Sequence, residues 1–248
     1  MAAFRMGYRT VGDGLVRMGR CGWGIFWTVA AGCYAAATVA AAWHAPADAA
    51  QGPIQKIFYL HFPVAISALL ACAAVFAAAV GYLIARDAWW DDLLAAAAKV
   101  AVLLCSVVLL TGMIWARSAW NTWWTWSPRL TFSLVLWLLY VVLLVVRASI
   151  DSAQRRRLVS AVYGVAAFID VPLVYVSSRL LPDIHPASIS LGAPAMKLAL
   201  GAFFAAMLLL TGGLIILGRK VEYLRRTAGS AGTGDAQALN PELARRTS

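Results

Sequence analysis

The sequence predicts an all-α, polytopic membrane protein: six transmembrane helices, short loops and a Trp-rich interfacial segment on the outer face. Three observations predict it. First, 62% of the 248 residues are apolar and only 13% charged, with a mean hydropathy of +0.75. A soluble domain is about 45–50% apolar and about 25% charged. Half the usual charge is too little to clothe a water-facing surface, which excludes a disordered chain and an ordinary cytosolic globule. Second, at about 20 residues per crossing the chain holds six spans and little else. Third, the net charge of +10 is gathered into clusters between alternate spans.

Hydropathy places the spans at 23–43, 57–85, 93–115, 130–147, 158–176 and 195–218. The first is not read as a cleavable signal peptide. It follows a basic tail, exceeds the length of an h-region and runs into a multi-span pattern. The second is long enough to tilt or to project a turn beyond the bilayer. Its small-residue run, AISALLACAAVFAAAVGYLIA, suits close helix packing. The segment after Leu224 is polar and rich in small residues and reads as a disordered tail. The organisation expected is therefore a membrane domain over 1–224 and a tail over 225–248.

Basic residues set the expected orientation. Arg5, Arg9, Arg17 and Arg20 precede the first span, Arg86 follows the second and Arg147, Arg155, Arg156 and Arg157 follow the fourth. Arg219, Lys220, Arg225, Arg226, Arg245 and Arg246 follow the sixth. The other loops carry only Lys56, Arg117, Arg129 and Arg179. By the positive-inside rule both termini are cytoplasmic. The basicity is then an orientation signal rather than a nucleic-acid footprint, though the Arg155–Arg157 run also suits anionic lipid.

The outward loops hold the unusual residues. Five of the 11 Trp lie in WARSAWNTWWTWSPRLT: Trp115, Trp120, Trp123, Trp124 and Trp126. An aromatic belt accounts for Trp23, Trp27, Trp43, Trp89 and Trp90, but five indoles in twelve residues exceed what anchoring needs. At helical spacing Trp120, Trp123 and Trp124 share one face, with Trp126 offset, as on a short amphipathic helix lying in the interface. Such a face fits a large, flat, apolar ligand.

All three histidines, His44, His61 and His185, fall at or near the same side. A lone interfacial His is ordinarily an anchor, but two imidazoles from separate loops can supply both axial positions of a haem iron. A metal-only site wants further ligands, and the outer loops carry no Cys and few carboxylates. His44 stands as a candidate third ligand. Haem propionates call for planar, bidentate guanidiniums, and Arg129 follows the Trp cluster directly, with Arg117 and Arg179 on the same side.

With those residues in place, the chain resembles the haem exporter protein C family (cytochrome c maturation protein C), tryptophan-rich haem-handling proteins. The family signature runs Trp-Gly-x-x-x-Trp-Gly-Thr-x-Trp-x-Trp-Asp-x-Arg-Leu-Thr. Trp115, Trp120, Thr122, Trp124, Trp126, Arg129, Leu130 and Thr131 fall on its positions. His61, in YLHFP, and His185, in the fifth loop, match the two family histidines regarded as axial ligands. Ala116, Asn121 and Ser127 stand where the signature has Gly, Gly and Asp. A non-glycine residue is strained wherever the backbone needs a positive φ.

The resemblance implies that haem b is presented on the outer face of the bacterial inner membrane. A periplasmic haem chaperone, cytochrome c maturation protein E, would receive it. The implied assembly includes the subunits of an ATP-binding-cassette transporter, cytochrome c maturation proteins A and B, together with the small cytochrome c maturation protein D. The chain has no Walker A pattern, so ATP falls to another chain. No enzymatic role is implied, and there is no G-x-S-x-G or HExxH to suggest a hydrolase.

Other polar residues leave alternatives. Asp170, two residues before Pro172, and Lys197 lie at similar depths and are expected to pair or to snorkel. Lys99 is expected to snorkel inward. Cys21, Cys33, Cys72 and Cys105 read as packing residues. A proton-coupled secondary transporter built on Asp170 and Lys197 is one alternative, and a non-haem assembly protein whose Trp loop docks a protein partner is another.

Overall fold

The structure is a computed structural model that describes residues 19–47, 51–180 and 191–239. Helix α1 spans Arg20–Val39 and closes in a π-type turn, Ala40–His44. A 3-10 turn, Pro53–Ile57, feeds α2, Phe58–Ala85. Then come α3 (Ala88–Trp120), α4 (Pro128–Ala148), α5 (Ala153–Ala167), α6 (Asp170–Leu180) and α7 (Pro194–Leu239). There is no strand among the described residues. Among the described residues, six stretches are long and apolar enough to cross a membrane: Arg20–His44, Pro53–Ala85, Ala88–Trp120, Pro128–Ala148, Ala153–Ser177 and Pro194–Ala228. They coincide with the six spans expected from hydropathy.

The α2–α3 hairpin is the centre of the bundle. Two residues join the helices. Arg86 takes a left-handed conformation (φ 54°) and its N–H bonds the Tyr82 carbonyl at 2.8 Å. Asp87 then caps α3 by accepting the Trp89 N–H at 3.0 Å. Along the hairpin, Ala71, Ala78, Ala97, Ala98 and Ala101 are fully buried, so the backbones approach closely and van der Waals contact replaces the missing hydrophobic drive. Helices α4, α5 and α6 pack on one side of this pair, and α7 with α1 on the other.

The fifth span is two helices because of Pro172. Its ring lacks an N–H and clashes with the carbonyl four residues back, that of Phe168. The chain turns at Phe168–Ile169 through tighter bonds, Ile169 N–H to Ala166 (3.2 Å) and Val171 N–H to Phe168 (3.1 Å). Asp170 follows, buried at 6% exposure, and its Oδ2 has no partner among the described residues.

At the end of the bundle opposite the Trp-rich loop, carboxylates of α3 hold the basic residues of three other helices. Asp91 binds Arg147 of α4 and Arg157 of α5, and Asp92 binds Arg226 of α7. Arg219 lies over the Trp89 ring, 4.8 Å from its centroid.

Three expectations change here. Asp170 and Lys197 do not pair: α6 packs on α4, whereas α7 packs on α1, α2 and α3, and Lys197 is exposed. Lys99 does more than snorkel, since its ammonium bonds the Glu222 carboxylate of α7. Nor does the last helix stop at Leu224. It continues through Arg225 and Arg226 to Leu239, with Arg226 anchored on Asp92, while residues 240–248 of the expected tail lie outside the described residues.

Candidate functional site

His61 sits one turn into α2, and three residues of α3 lie against its half-buried ring. Its Nδ1 lies 2.8 Å from the Thr111 hydroxyl. A Cβ added to Gly112 would stand 3.2 Å from the His61 Cε1, so the absence of a side chain there lets the imidazole lie close against α3. Trp115, one turn further along α3, meets the imidazole edge-on at 5.7 Å between centroids.

Trp115 is the anchor of this end rather than part of an exposed surface. It is 2% exposed, and its indole N–H donates to Gln51 Oε1 at 3.1 Å. It stacks on Trp120 (6.0 Å, 28°) and tilts against Phe58 (6.1 Å). Phe58 stacks in turn on Phe62 (5.3 Å, 11°), and Phe62 meets Phe204 of α7 edge-on at 5.5 Å. The result is a continuous aromatic run from α7 across α2 to the end of α3, with His61 against its middle.

The loop after Trp120 is not the amphipathic helix expected over Trp120, Trp123 and Trp124. Asn121 ends α3 in the left-handed region, φ 58°. Pro128 then disfavours helix at the residue before it, and Ser127 is extended with ψ 151°. The seven residues between the helices are irregular. Trp123 and Trp126 are 60% and 75% exposed, Trp124 is half-buried and meets Trp126 edge-on at 5.9 Å, and Thr122 Oγ1 donates to the Trp124 carbonyl at 3.2 Å. The five indoles thus divide into a stacked pair, buried Trp115 and half-buried Trp120, and a loop set with two outward faces.

The signature departures resolve differently. Ala116 lies within α3, buried at 6% exposure, where a helical backbone asks nothing of glycine. Asn121 does occupy a positive φ, and Asn is among the non-glycine residues that enter this region most readily. Arg117 holds it there by donating to the Asn121 carbonyl at 3.0 Å and to its side-chain oxygen. The Arg117 guanidinium also lies 6.0 Å from the Trp123 ring centroid. Ser127 is the N-cap of α4, but its hydroxyl is buried and makes no bond among the described residues.

Arg129 is in the first turn of α4, half-buried, at this same end of the bundle. His44 is exposed at the end of α1, and among the described residues no three His, Cys, Asp or Glu gather as a metal site. His185 and the loop around it lie outside the described residues. Sequence reasoning passed over Thr111, Gly112, Gln51, Phe58 and Phe62. A Thr-Gly pair four and three residues before Trp115, inside an otherwise apolar helix, was the available signal.

Comparison with known proteins gives the family. Residues 14–231 match the family model described as Heme exporter protein C. Heme exporter protein C of Escherichia coli strain K12 is 32% identical over 206 residues, covering 79% of this chain and 82% of that protein. The counterpart from Bradyrhizobium diazoefficiens is 32% identical over 146 residues, 58% of this chain and 56% of its own. A putative cytochrome c biosynthesis ccmC-like mitochondrial protein of Marchantia polymorpha is 31% identical over 180 residues, 71% and 76% of the two chains. With most of its length matched, the chain belongs to the Heme exporter protein C family.

Proposed function

We propose that this multi-pass membrane protein, which serves haem handling in cytochrome c biogenesis, takes haem b as cargo at its Trp-rich end. His61 and His185 would be the axial ligands of the iron. The observation that carries the reading is the seat of His61. A single imidazole, held by a hydroxyl on one ring nitrogen, lies beside an aromatic run at the end of the bundle that also carries the exposed Trp123 and Trp126. That donor set fits haem: an N-donor ligand, extensive π surface and guanidiniums at the same end for two propionates. Trp120, Trp123, Trp124 and Trp126 would shield the ring faces, with Trp115 as their buried support, and Arg129 would pair with a propionate.

Bound haem supplies the iron and the vinyl groups that a c-type cytochrome later uses, and this chain's residues only hold and present it. In this reading the Trp-rich end faces the periplasm, both termini are cytoplasmic and the protein lies in the bacterial inner membrane. The recipient would be a periplasmic haem chaperone, cytochrome c maturation protein E. Cytochrome c maturation proteins A and B, as the subunits of an ATP-binding-cassette transporter, and the small cytochrome c maturation protein D would complete the complex.

The test is an absorption spectrum of the detergent-purified protein beside His61→Ala and His185→Ala. A Soret band in the parent, altered in both variants, is expected. A parent that stays colourless after haem is added would sink the reading.

A further inference from the structure

The hydrogen-bond geometry around His61 contains more than a contact. The Thr111 hydroxyl lies 2.7 Å from the Val107 carbonyl and 3.3 Å from that of Val108. Two oxygens at 2.7 Å need a hydrogen between them. A threonine has one, so it is spent on the helix backbone, as is usual for a hydroxyl inside an apolar helix. The 2.8 Å contact between Thr111 Oγ1 and His61 Nδ1 then needs its proton from the imidazole. Only the tautomer with hydrogen on Nδ1 satisfies both bonds.

We infer that Thr111 is a positioning residue that fixes His61 as the Nδ1–H tautomer and so makes Nε2 the ligating nitrogen. The role rests on the reading of His61 as a haem ligand. Its logic is general: a ligating histidine commonly donates its other N–H to an oxygen, which sets both tautomer and ring plane. Here the acceptor is a neutral hydroxyl, itself polarised by the Val107 bond. It orients the ring without bringing a negative charge into an apolar span. Gly112 and Trp115 complete the seat by bounding the ring on the same helix, so three α3 residues within one turn decide where Nε2 points.

The experiment uses the full-length protein in lipid nanodiscs, labelled with 15N-histidine, first without haem. The nitrogen spectrum distinguishes the two neutral tautomers, and His61→Ala assigns the signal. The parent is expected to show His61 protonated on Nδ1. Thr111→Val, nearly isosteric and more apolar, is expected to move the population to the Nε2–H form, and Thr111→Ser is expected to restore the parent spectrum. With haem added, Thr111→Val should weaken retention about 10–100-fold, the usual effect of losing such a partner, while Thr111→Ser stays near the parent. A tautomer unmoved by Thr111→Val, or a Ser variant no better than Val, would overturn the inference alone. An unaltered haem spectrum in His61→Ala would overturn the haem reading and this role together.

Discussion

Arg147 on α4 grips Asp91 on α3 with both guanidinium nitrogens, Nη1 to Oδ1 at 2.6 Å and Nη2 to Oδ2 at 3.2 Å. Arg157 of α5 approaches the same carboxylate at 3.6 Å. The side chains of Asp91 and Arg147 are only 7% and 12% exposed, so this is a buried pair rather than a surface one. Breaking such a pair leaves an uncompensated charge, which costs about 3–5 kcal/mol, whereas replacing both partners by apolar groups is often neutral. Asp91→Asn is therefore expected to lower thermal stability sharply in detergent, and Asp91→Leu with Arg147→Met to recover most of the loss. A single variant as stable as the parent would show that the junction does not hold the helices.

The loop after α3 offers a backbone test. Asn121 at φ 58° carries strain that a Cβ-bearing residue meets at about 1–2 kcal/mol, offset by its bonds from Arg117. Asn121→Gly removes the strain and the side-chain acceptor together, and is expected to leave the melting temperature nearly unchanged. Asn121→Val keeps the strain, loses the acceptor and adds branching, and is expected to destabilise by about 1–3 kcal/mol. Protease cutting between Trp120 and Pro128 should rise for the Val variant and not for Gly. Equal protection of both would mean that the left-handed turn imposes no strain on a branched residue.

How far the sequence reached follows from what each signal depends on. The six spans were legible because crossing a bilayer demands length and apolarity, which any window of residues displays. Lys99 was not fully legible, because its partner Glu222 is 123 positions away and pairing over that distance is set by packing. The Trp loop was misread for a local reason: helical spacing was applied across Asn121 and Pro128, where one residue reverses the backbone and the other disfavours helix before it. Pro172 breaks the fifth span by a rule visible in sequence, yet an apolar window does not register it. His61 was legible as a rare residue in a telling place, while its seat on Thr111 and Gly112 needed the register of α2 against α3.

That register rests partly on Gly81. A Cβ there would press on three atoms of the Trp90 ring, the farthest of them at 2.7 Å, and that ring is a rigid group already held between α2 and α3. Gly81→Ala is expected to destabilise by about 1–3 kcal/mol, the usual effect of overpacking. Adding Trp90→Leu should return much of it by opening the space. Thermal melts of the single and double variants would check this, and an additive double variant would contradict direct contact.

The two kinds of tryptophan should separate stability from haem retention. Trp115 is 2% exposed and joins Phe58, Trp120, His61 and Gln51, so Trp115→Ala removes core volume and the indole N–H that donates to Gln51 Oε1. A loss of about 3–5 kcal/mol is expected, with haem retention falling as a consequence of lost structure. Trp123 and Trp126 have most of their surface exposed and support little of the fold. Their alanine variants are expected to stay within about 0.5 kcal/mol of the parent and yet to retain less haem on gel filtration, with the pair worse than either alone. Melting temperature and Soret absorbance measured on the same samples distinguish the two behaviours. If haem retention tracked stability across all three variants, the loop indoles would be membrane anchors and not part of the haem surface.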